Sequence, residues 1–200
     1  MIQKQNRYGQ QSLTPVTRMI FGDVYTTTQV KGQGAYKFRI TAVLNPTGEL
    51  FQNLQAQVDR LMRLNFADEI ANGDKLENPL LPCSKLKAFK DRPEYNGLYV
   101  IKASANPEYP PTIVDKNGLK NSEPGLIYPG CYIRMSVNPF AFDTMSKGVS
   151  FGLQGVSFVK DGRRIGAGMD PQEQFASVQP SQEELSWSVS DDSDTDDVPF

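Results

Sequence analysis

The sequence predicts a mainly β protein, a small antiparallel barrel of five or more strands with one substantial helix. Several segments alternate apolar and polar side chains with the period of two that is typical of half-buried strands. One segment alone carries apolar residues at helical spacing. Strands and helices do not alternate as they do in βαβ units, so a barrel explains the pattern better than a parallel sheet.

The first two strands form a hairpin. Residues 18–30 are rich in aromatic and β-branched side chains, and residues 32–34 supply the glycines of a turn. Residues 36–44 alternate, which places Lys37 and Arg39 on one face of the second strand. Both basic side chains are therefore expected to point the same way.

A helix follows the hairpin. Thr47 can cap its first turn, Glu49 favours the positive end of the helix dipole, and Asn72 with Gly73 suits its end. The side chains that recur at helical spacing are apolar and predict a face packed on the core: Leu50, Phe51, Leu54, Val58, Leu61, Met62 and Leu64.

The second half of the chain contains the remaining strands. Residues 74–96 contain three prolines and are predicted to be loop-like. Strands are then expected at residues 97–104, 111–115, 131–138 and 149–160. In the third of these, Tyr132 and Arg134 share a face, opposite the apolar side chains expected in the core. Gly152 and Gly155 predict a bulge or a strongly coiled last strand.

Charge divides the chain into a basic body and an acidic tail. Residues 1–169 contain 21 basic and 14 acidic side chains, a net charge of +7, whereas residues 170–200 carry −9. Residues 190–200 hold five aspartates and almost nothing apolar before the final Val-Pro-Phe, so they are not expected to fold alone. The sequence therefore predicts a flexible lead-in over 1–15, one folded domain over 16–176 and a disordered tail over 177–200.

Composition excludes several function classes. The chain has no histidine, and its two cysteines lie 48 positions apart, so neither a histidine-based active site nor a zinc site is expected. It has no phosphate-binding loop motif. We therefore predict a protein that is not an enzyme and needs no cofactor or metal. A nuclease that uses carboxylates alone is an alternative hypothesis.

The same composition predicts the compartment. No apolar run approaches the ~20 residues that span a bilayer, and the N-terminus lacks the apolar core of a signal peptide. With so few cysteines, a reducing cytoplasm and no membrane contact are expected. The sequence leaves open whether the protein forms a homo-oligomer.

Aromatic and basic residues interleave on the predicted strands and their loops. Single-stranded nucleic acid is held by cations along its phosphates and by rings that stack on its bases. The candidates for such contacts are Lys37, Arg39, Tyr99, Lys102, Tyr132, Arg134, Phe140, Phe142, Lys147, Phe151, Lys160, Arg163 and Arg164. For any single phenylalanine, among them Phe38, Phe151 and Phe158, a place in the core is the more frequent alternative. The basic face could instead bind an acidic protein, which would make the chain an adaptor.

Three stretches resemble the OB-fold single-stranded-DNA-binding proteins of tailed bacteriophages. They are YPGCYIRMSVNPFAF at 128–142, KGVSFGLQGV at 147–156 and VKDG at 159–162, and the resemblance extends over residues 16–176. It implies a five-stranded OB-fold-like barrel that binds single-stranded DNA largely independently of sequence. It also implies a role in phage DNA replication or recombination in the host cytoplasm. The preference for DNA over RNA comes from the resemblance alone, because stacking serves either.

The C-terminal end resembles the acidic tip of bacterial SSB proteins, in which acids precede Ile-Pro-Phe. Here the tip is Asp196, Asp197, Val198, Pro199 and Phe200, with Val198 in place of isoleucine. The resemblance implies that the tip recruits replication or repair proteins. It also implies that the tip can occupy the DNA groove of its own chain.

Overall fold

A computed structural model describes residues 7–30, 33–89 and 91–165. The acidic tail, its tip and the predicted domain boundary at residue 176 lie outside these ranges and stay predictions. These ranges contain two helices, α1 (Glu49–Asn65) and α2 (Ala67–Asn72). The strands are β1 (Ser12–Leu13), β2 (Thr17–Val30), β3 (Gln33–Leu44), β4 (Leu80–Pro82), β5 (Tyr99–Ala105), β6 (Thr112–Val114), β7 (Tyr132–Asp143) and β8 (Lys147–Lys160).

Five strands close into a ring, which confirms the predicted barrel. β2 pairs with β3, β3 with β5, β8 with β7, and β7 again with β2, all antiparallel. The remaining junction, β5 with β8, is parallel, whereas the predicted barrel was antiparallel. β1 extends the edge of β7, and β4 and β6 are short additions to β5 and β8.

The barrel interior is filled by the apolar set of each alternating strand. Along β7 the odd-numbered residues from Ile133 to Ala141 are buried, and the even-numbered ones are half-buried and face outward. Helix α1 closes the interior with Phe51, Leu54, Val58 and Leu61. At the two ends of the predicted apolar face, Leu50 and Leu64 are exposed instead of buried.

The predicted helix is broken near its end. It begins at Glu49 with Gly48 as N-cap, and Thr47 makes no capping hydrogen bond. At Phe66 the backbone leaves the helical region (φ −138°) while the ring is buried, so the chain starts a new helix that ends at Gly73 in the left-handed conformation.

Among the described helices, none is long and apolar enough to span a membrane.

Residues predicted to be loop-like cover part of the outer surface of the barrel. Three short 3₁₀ turns lie between β4 and β5, and Cys83, Phe89 and Tyr95 from them are buried against Val43 and Val100. This small apolar cluster covers one end of the outer faces of β3 and β5. Toward the other end, Lys37 and Arg39 are half-buried and Lys102 is exposed.

Candidate nucleic-acid interface

The outward faces of β7 and β8 form a trough, here called the β7–β8 trough. The outward side chains of β7 include Tyr132, Arg134, Phe140 and Phe142. Their cross-strand neighbours on β8 are mostly small, because Ser157 lies opposite Arg134, Gly155 opposite Ser136, Gly152 opposite Asn138, Ser150 opposite Phe140 and Gly148 opposite Phe142. Large side chains therefore line β7, while β8 provides a low floor beside them from Ser150 to Ser157, with Asn138 lying over Gly152 and Glu77 covering Gly148.

Two cations flank Tyr132 at one end of the trough. The Lys160 ammonium lies 4.7 Å from the centre of the Tyr132 ring, and the Arg18 guanidinium carbon lies 5.9 Å from it. Lys160 was predicted as a site residue, whereas Arg18 was not. Arg18 reaches the ring because β2 pairs with β7 at this point, a long-range contact with no local sequence signature.

The loop after β8 is fixed beside the same end. The guanidinium carbon of Arg164 lies 4.1 Å from the centre of the Tyr128 ring, and the Arg163 carbonyl accepts a hydrogen bond from Arg18. The Tyr128 hydroxyl donates to an Asp161 carboxylate oxygen at 2.8 Å. Burial raises the pKa of Tyr128, and the Asp161 hydrogen bond raises it further, so this hydroxyl stays a neutral donor. Arg163 and Arg164 thus lie near the predicted site, with Arg164 already engaged by a ring.

Three aromatic rings form a row at the other end of the trough. The ring centres of Phe140 and Phe142 are 6.4 Å apart, and Tyr8 lies 6.4 Å from Phe140. Tyr8 was missed because it falls in the predicted flexible lead-in, yet it forms a bridge with Phe140. The spacing is roughly twice the ~3.4 Å rise per nucleotide of a duplex strand, so the row suits the bases of an extended strand.

Lys147 is the one predicted cation that the described structure pairs with carboxylates. Its ammonium lies 2.8 Å from Glu69 on α2 and 3.7 Å from Asp143. The hydrogen bond to Glu69, followed by the charge of Asp143, raises the pKa of Lys147, and the same hydrogen bond lowers the pKa of Glu69. Its charge is therefore partly neutralised within the protein.

Lys37, Arg39 and Lys102 lie on the outer faces of β3 and β5, as predicted for the first two. Arg39 is the neighbour of Ser104, and Ser104 is the neighbour of Gly152 on the trough floor, so Arg39 lies two strands away from β8. Lys102 is exposed two residue pairs further along β5, opposite Thr41. These cations lie beside the trough and would lengthen a basic path around the barrel.

Several of these cations lack an ionic partner within the described part of the chain, where both ion pairs belong to Lys147. The Nε atoms of Arg39 and Arg134 are buried and have no hydrogen-bond partner there. The carboxylate of Asp23, opposite Arg39, instead accepts from the backbone amides of Tyr25 and Thr26. The Arg39 guanidinium donates only to the Ala35 carbonyl among the described residues, so its charge has no carboxylate partner there.

Two predicted site residues are inside the barrel, which corrects the sequence-based assignment. Phe151 is fully buried in the main core. Tyr99 shares the inner face of β5 with Ile101 and packs edge-on against Phe51 of α1 at 5.0 Å. Neither ring reaches the trough, because both lie on the inward phase of their strands. Phe38 and Phe158 also pack on the core.

Metal-ligating groups do not converge in the described residues, which contain no cluster of three or more histidine, cysteine, aspartate or glutamate side chains. Cys83 and Cys131 are buried and unpaired. Burial raises the pKa of both thiols, which keeps them protonated and poor as ligands.

Comparison with known proteins relates this chain to phage proteins. A family model described as Enterobacter phage Enc34, ssDNA-binding protein, matches residues 11–186. A protein of Acyrthosiphon pisum secondary endosymbiont phage 1, called putative protein p50, is 29% identical over 178 residues, which cover 84% of this chain and 93% of that protein.

Solved structures show the same fold. The single-stranded DNA-binding protein of bacteriophage Enc34 in complex with ssDNA has a TM-score of 0.60 at 18% identity, covering 77% of this chain and 88% of that one. The gp2.5 single-stranded DNA binding protein encoded by bacteriophage T7 has a TM-score of 0.59 at 11% identity, covering 81% and 98%. The described part of the chain is an OB-fold-like barrel.

Proposed function

Because the chain belongs to the family of the Enterobacter phage Enc34 ssDNA-binding protein, we propose that it binds and protects single-stranded DNA, with the β7–β8 trough as the main contact surface. The observation that carries the proposal is the combination in one trough of a row of outward rings, small side chains on the neighbouring strand and cations without ionic partners among the described residues. The protein acts by binding and is not an enzyme.

Each part of the trough has a role in this proposal. Phe140 and Phe142 stack on bases, which contributes roughly 1–3 kcal/mol per base and tolerates any sequence because every base has a π face. Arg134 and Lys160 contact phosphates, and Lys37, Arg39 and Lys102 extend the path around the barrel. Tyr132 stacks on a base once a phosphate draws Lys160 away from its ring.

A titration of the full-length protein with fluorescent oligonucleotides tests the proposal. We expect similar affinities for oligothymidylate and for mixed single strands, weaker binding to duplex, and a steep loss of affinity as salt rises. Binding confined to one sequence, or none at low salt, would contradict it. In that case the adaptor role would become the better explanation.

The biological setting that we propose is phage DNA replication or recombination. The C-terminal residues 170–200 carry a net charge of −9, opposite in sign to the +7 of the preceding residues. Such a tail can compete with DNA for the basic trough, and the Phe200 ring beside its carboxylate suits a pocket on a replication or repair protein.

Removal of residues 190–200 is expected to leave ssDNA affinity unchanged or to raise it, because five aspartates that compete with phosphates are lost. The same truncation is expected to abolish partner recruitment, measured by co-precipitation of host replication proteins. Substitution of the five aspartates by asparagine, with Val198–Phe200 kept, is the matched control for charge. Much weaker ssDNA binding after truncation would contradict the competition.

Substitution of Glu69→Gln is expected to strengthen ssDNA binding by releasing Lys147 from its 2.8 Å ion pair. One further phosphate contact raises the magnitude of the slope of log affinity against log salt by up to about 0.7. The measurement is that slope over a salt series. Asp68→Asn, at an exposed neighbour that makes no ion pair within the described residues, is the control. Equal slopes for the two variants would contradict the idea that the Glu69 ion pair keeps Lys147 from contacting DNA.

A further inference from the structure

A groove lies beside the row of three rings, between residues 8–10 and the outer side of α1. Its volume is about 580 Å³, and it is lined by Tyr8, Gly9, Gln10, Asn53, Ala56, Gln57, Arg60, Leu61 and Leu64. This volume falls within the range of roughly 300–1,000 Å³ found for ligand pockets. Apart from the Tyr8 ring, the groove shares no side chain with the contacts proposed for the β7–β8 trough.

The side-chain amides of Gln57 and Asn53, which line the groove, already have partners. The Gln57 amide nitrogen donates to Ser12 Oγ at 2.7 Å and to Asn53 at 3.2 Å, while its oxygen accepts from the backbone amide of Gln10 at 2.7 Å. The amides therefore fix the walls. The rest of the lining consists of an exposed aromatic ring, an apolar floor and a cation.

These three components come from Tyr8, the leucines and Arg60. The Tyr8 ring is 67% exposed and Leu64 is 46% exposed, so both present apolar surface to the groove. Arg60 is exposed and makes no ion pair with the described residues. A flat apolar group with one negative charge matches this combination.

The groove is continuous with the row of rings. The Gly9 amide donates to the Pro139 carbonyl at 2.8 Å, and the Ala141 amide donates to the Arg7 carbonyl at 2.7 Å. These bonds hold residues 7–9 as an added edge on β7, so the Tyr8 ring both ends the row and forms one wall of the groove. A strand that follows Phe142 and Phe140 therefore arrives at the groove.

We propose that the groove binds one further nucleotide of the same DNA strand, with its base against Tyr8 above Leu61 and Leu64 and its phosphate on Arg60. This inference rests on the proposed function. The acidic tip of this chain is the other candidate occupant, since it also has a ring and negative charge. The groove favours the nucleotide, because its lining in the described part of the chain has one cation for one phosphate, whereas the tip carries several aspartates close to its ring.

The test compares Arg60→Ala with Arg63→Ala in the full-length protein. Arg63 is exposed on the same helix but does not line the groove, so the two variants lose the same charge at different places. Loss of one phosphate contact lowers the salt slope by about 0.7, so Arg60→Ala is expected to weaken ssDNA binding about eightfold near 50 mM salt and less than about twofold near 0.5 M. Arg63→Ala is expected to match the wild-type protein.

A second variant tests the groove without removing a cation. Ala56→Glu places a carboxylate in the groove and is expected to weaken ssDNA binding at least as much as Arg60→Ala, whereas Gln52→Glu, exposed outside it, is expected to have little effect.

The outcomes separate the groove from the trough. If the wild-type protein binds ssDNA but Arg60→Ala behaves like Arg63→Ala, or Ala56→Glu like Gln52→Glu, the groove inference is overturned and the proposed function stands. Stronger ssDNA binding by Arg60→Ala would assign the groove to the tip and would overturn it too. Absence of ssDNA binding by the wild-type protein would instead remove the proposed function.

Discussion

Replacement of both Phe140 and Phe142 by alanine is expected to weaken ssDNA binding by about 30-fold or more, because each ring contributes roughly 1–3 kcal/mol of stacking on a base. The two rings are neighbours in one row, with centres 6.4 Å apart, and they face outward from β7. The measurement is the dissociation constant for oligothymidylate by fluorescence anisotropy. Stacking does not involve charged groups, so the loss of ssDNA affinity is expected to persist at high salt.

The control for this double variant is Tyr109→Ala. Tyr109 is 73% exposed and follows β5, outside the β7–β8 trough, so its ring is expected to contribute nothing to binding. Urea unfolding of each variant separates a loss of contact from a loss of fold. Unchanged affinity in the double variant, with the fold intact, would exclude stacking on this row.

Substitution of Phe151→Ala is expected to lower the free energy of unfolding by about 3–5 kcal/mol, the cost typical of emptying the site of a buried phenylalanine. Phe151 is fully buried in the main core of the barrel. Urea denaturation measures the change. Phe142→Ala removes the same side chain from the half-buried outward face of the neighbouring strand. It is therefore the matched control, and a clearly smaller change is expected for it.

These two phenylalanines are predicted to have opposite signatures. Phe142→Ala weakens ssDNA binding with little loss of stability, whereas Phe151→Ala destabilises the fold while the folded fraction still binds. If Phe151→Ala instead left stability unchanged and reduced ssDNA affinity, the ring would belong to the interface and the inward phase of β8 would be wrong.

Local patterns in the sequence were sufficient to predict the faces of β7. Its strict alternation places Tyr132 and Arg134 outward and Ile133 inward, and the structure confirms this division. The alternation of β3 was equally informative for Lys37 and Arg39, which share its outer face. In both strands the period of two continues without interruption through the residues concerned.

The faces of β8 could not be predicted in the same way. The β7–β8 register shifts between Ser136 and Val137, and the buried positions of β8 change phase between Leu153 and Val156. A bulge of this kind reverses inside and outside, so the local pattern did not show whether Phe151 pointed to the core. Tyr99 is a different case, because it lies on the same inward phase of β5 as Ile101 and opposite to Lys102, and it packs there on Phe51 of α1.

Long-range pairing also explains the site residues that the sequence did not suggest. Arg18 reaches Tyr132 only because β2 and β7 are neighbours in the closed ring. Tyr8 joins Phe140 only because residues 7–9 add to the edge of β7. Both contacts join distant parts of the sequence, so only the tertiary structure brings these side chains to the trough.

Photo-crosslinking maps the path of the DNA most directly. Oligothymidylate containing 5-iodouracil is irradiated in complex with the full-length protein, and the modified peptides are identified by mass spectrometry. Adducts are expected on Tyr132, Phe140 and Phe142, the outward rings of β7. Adducts confined to exposed rings elsewhere, such as Tyr36 or Tyr109, with none on β7, would contradict the assignment of the β7–β8 trough as the DNA-binding surface.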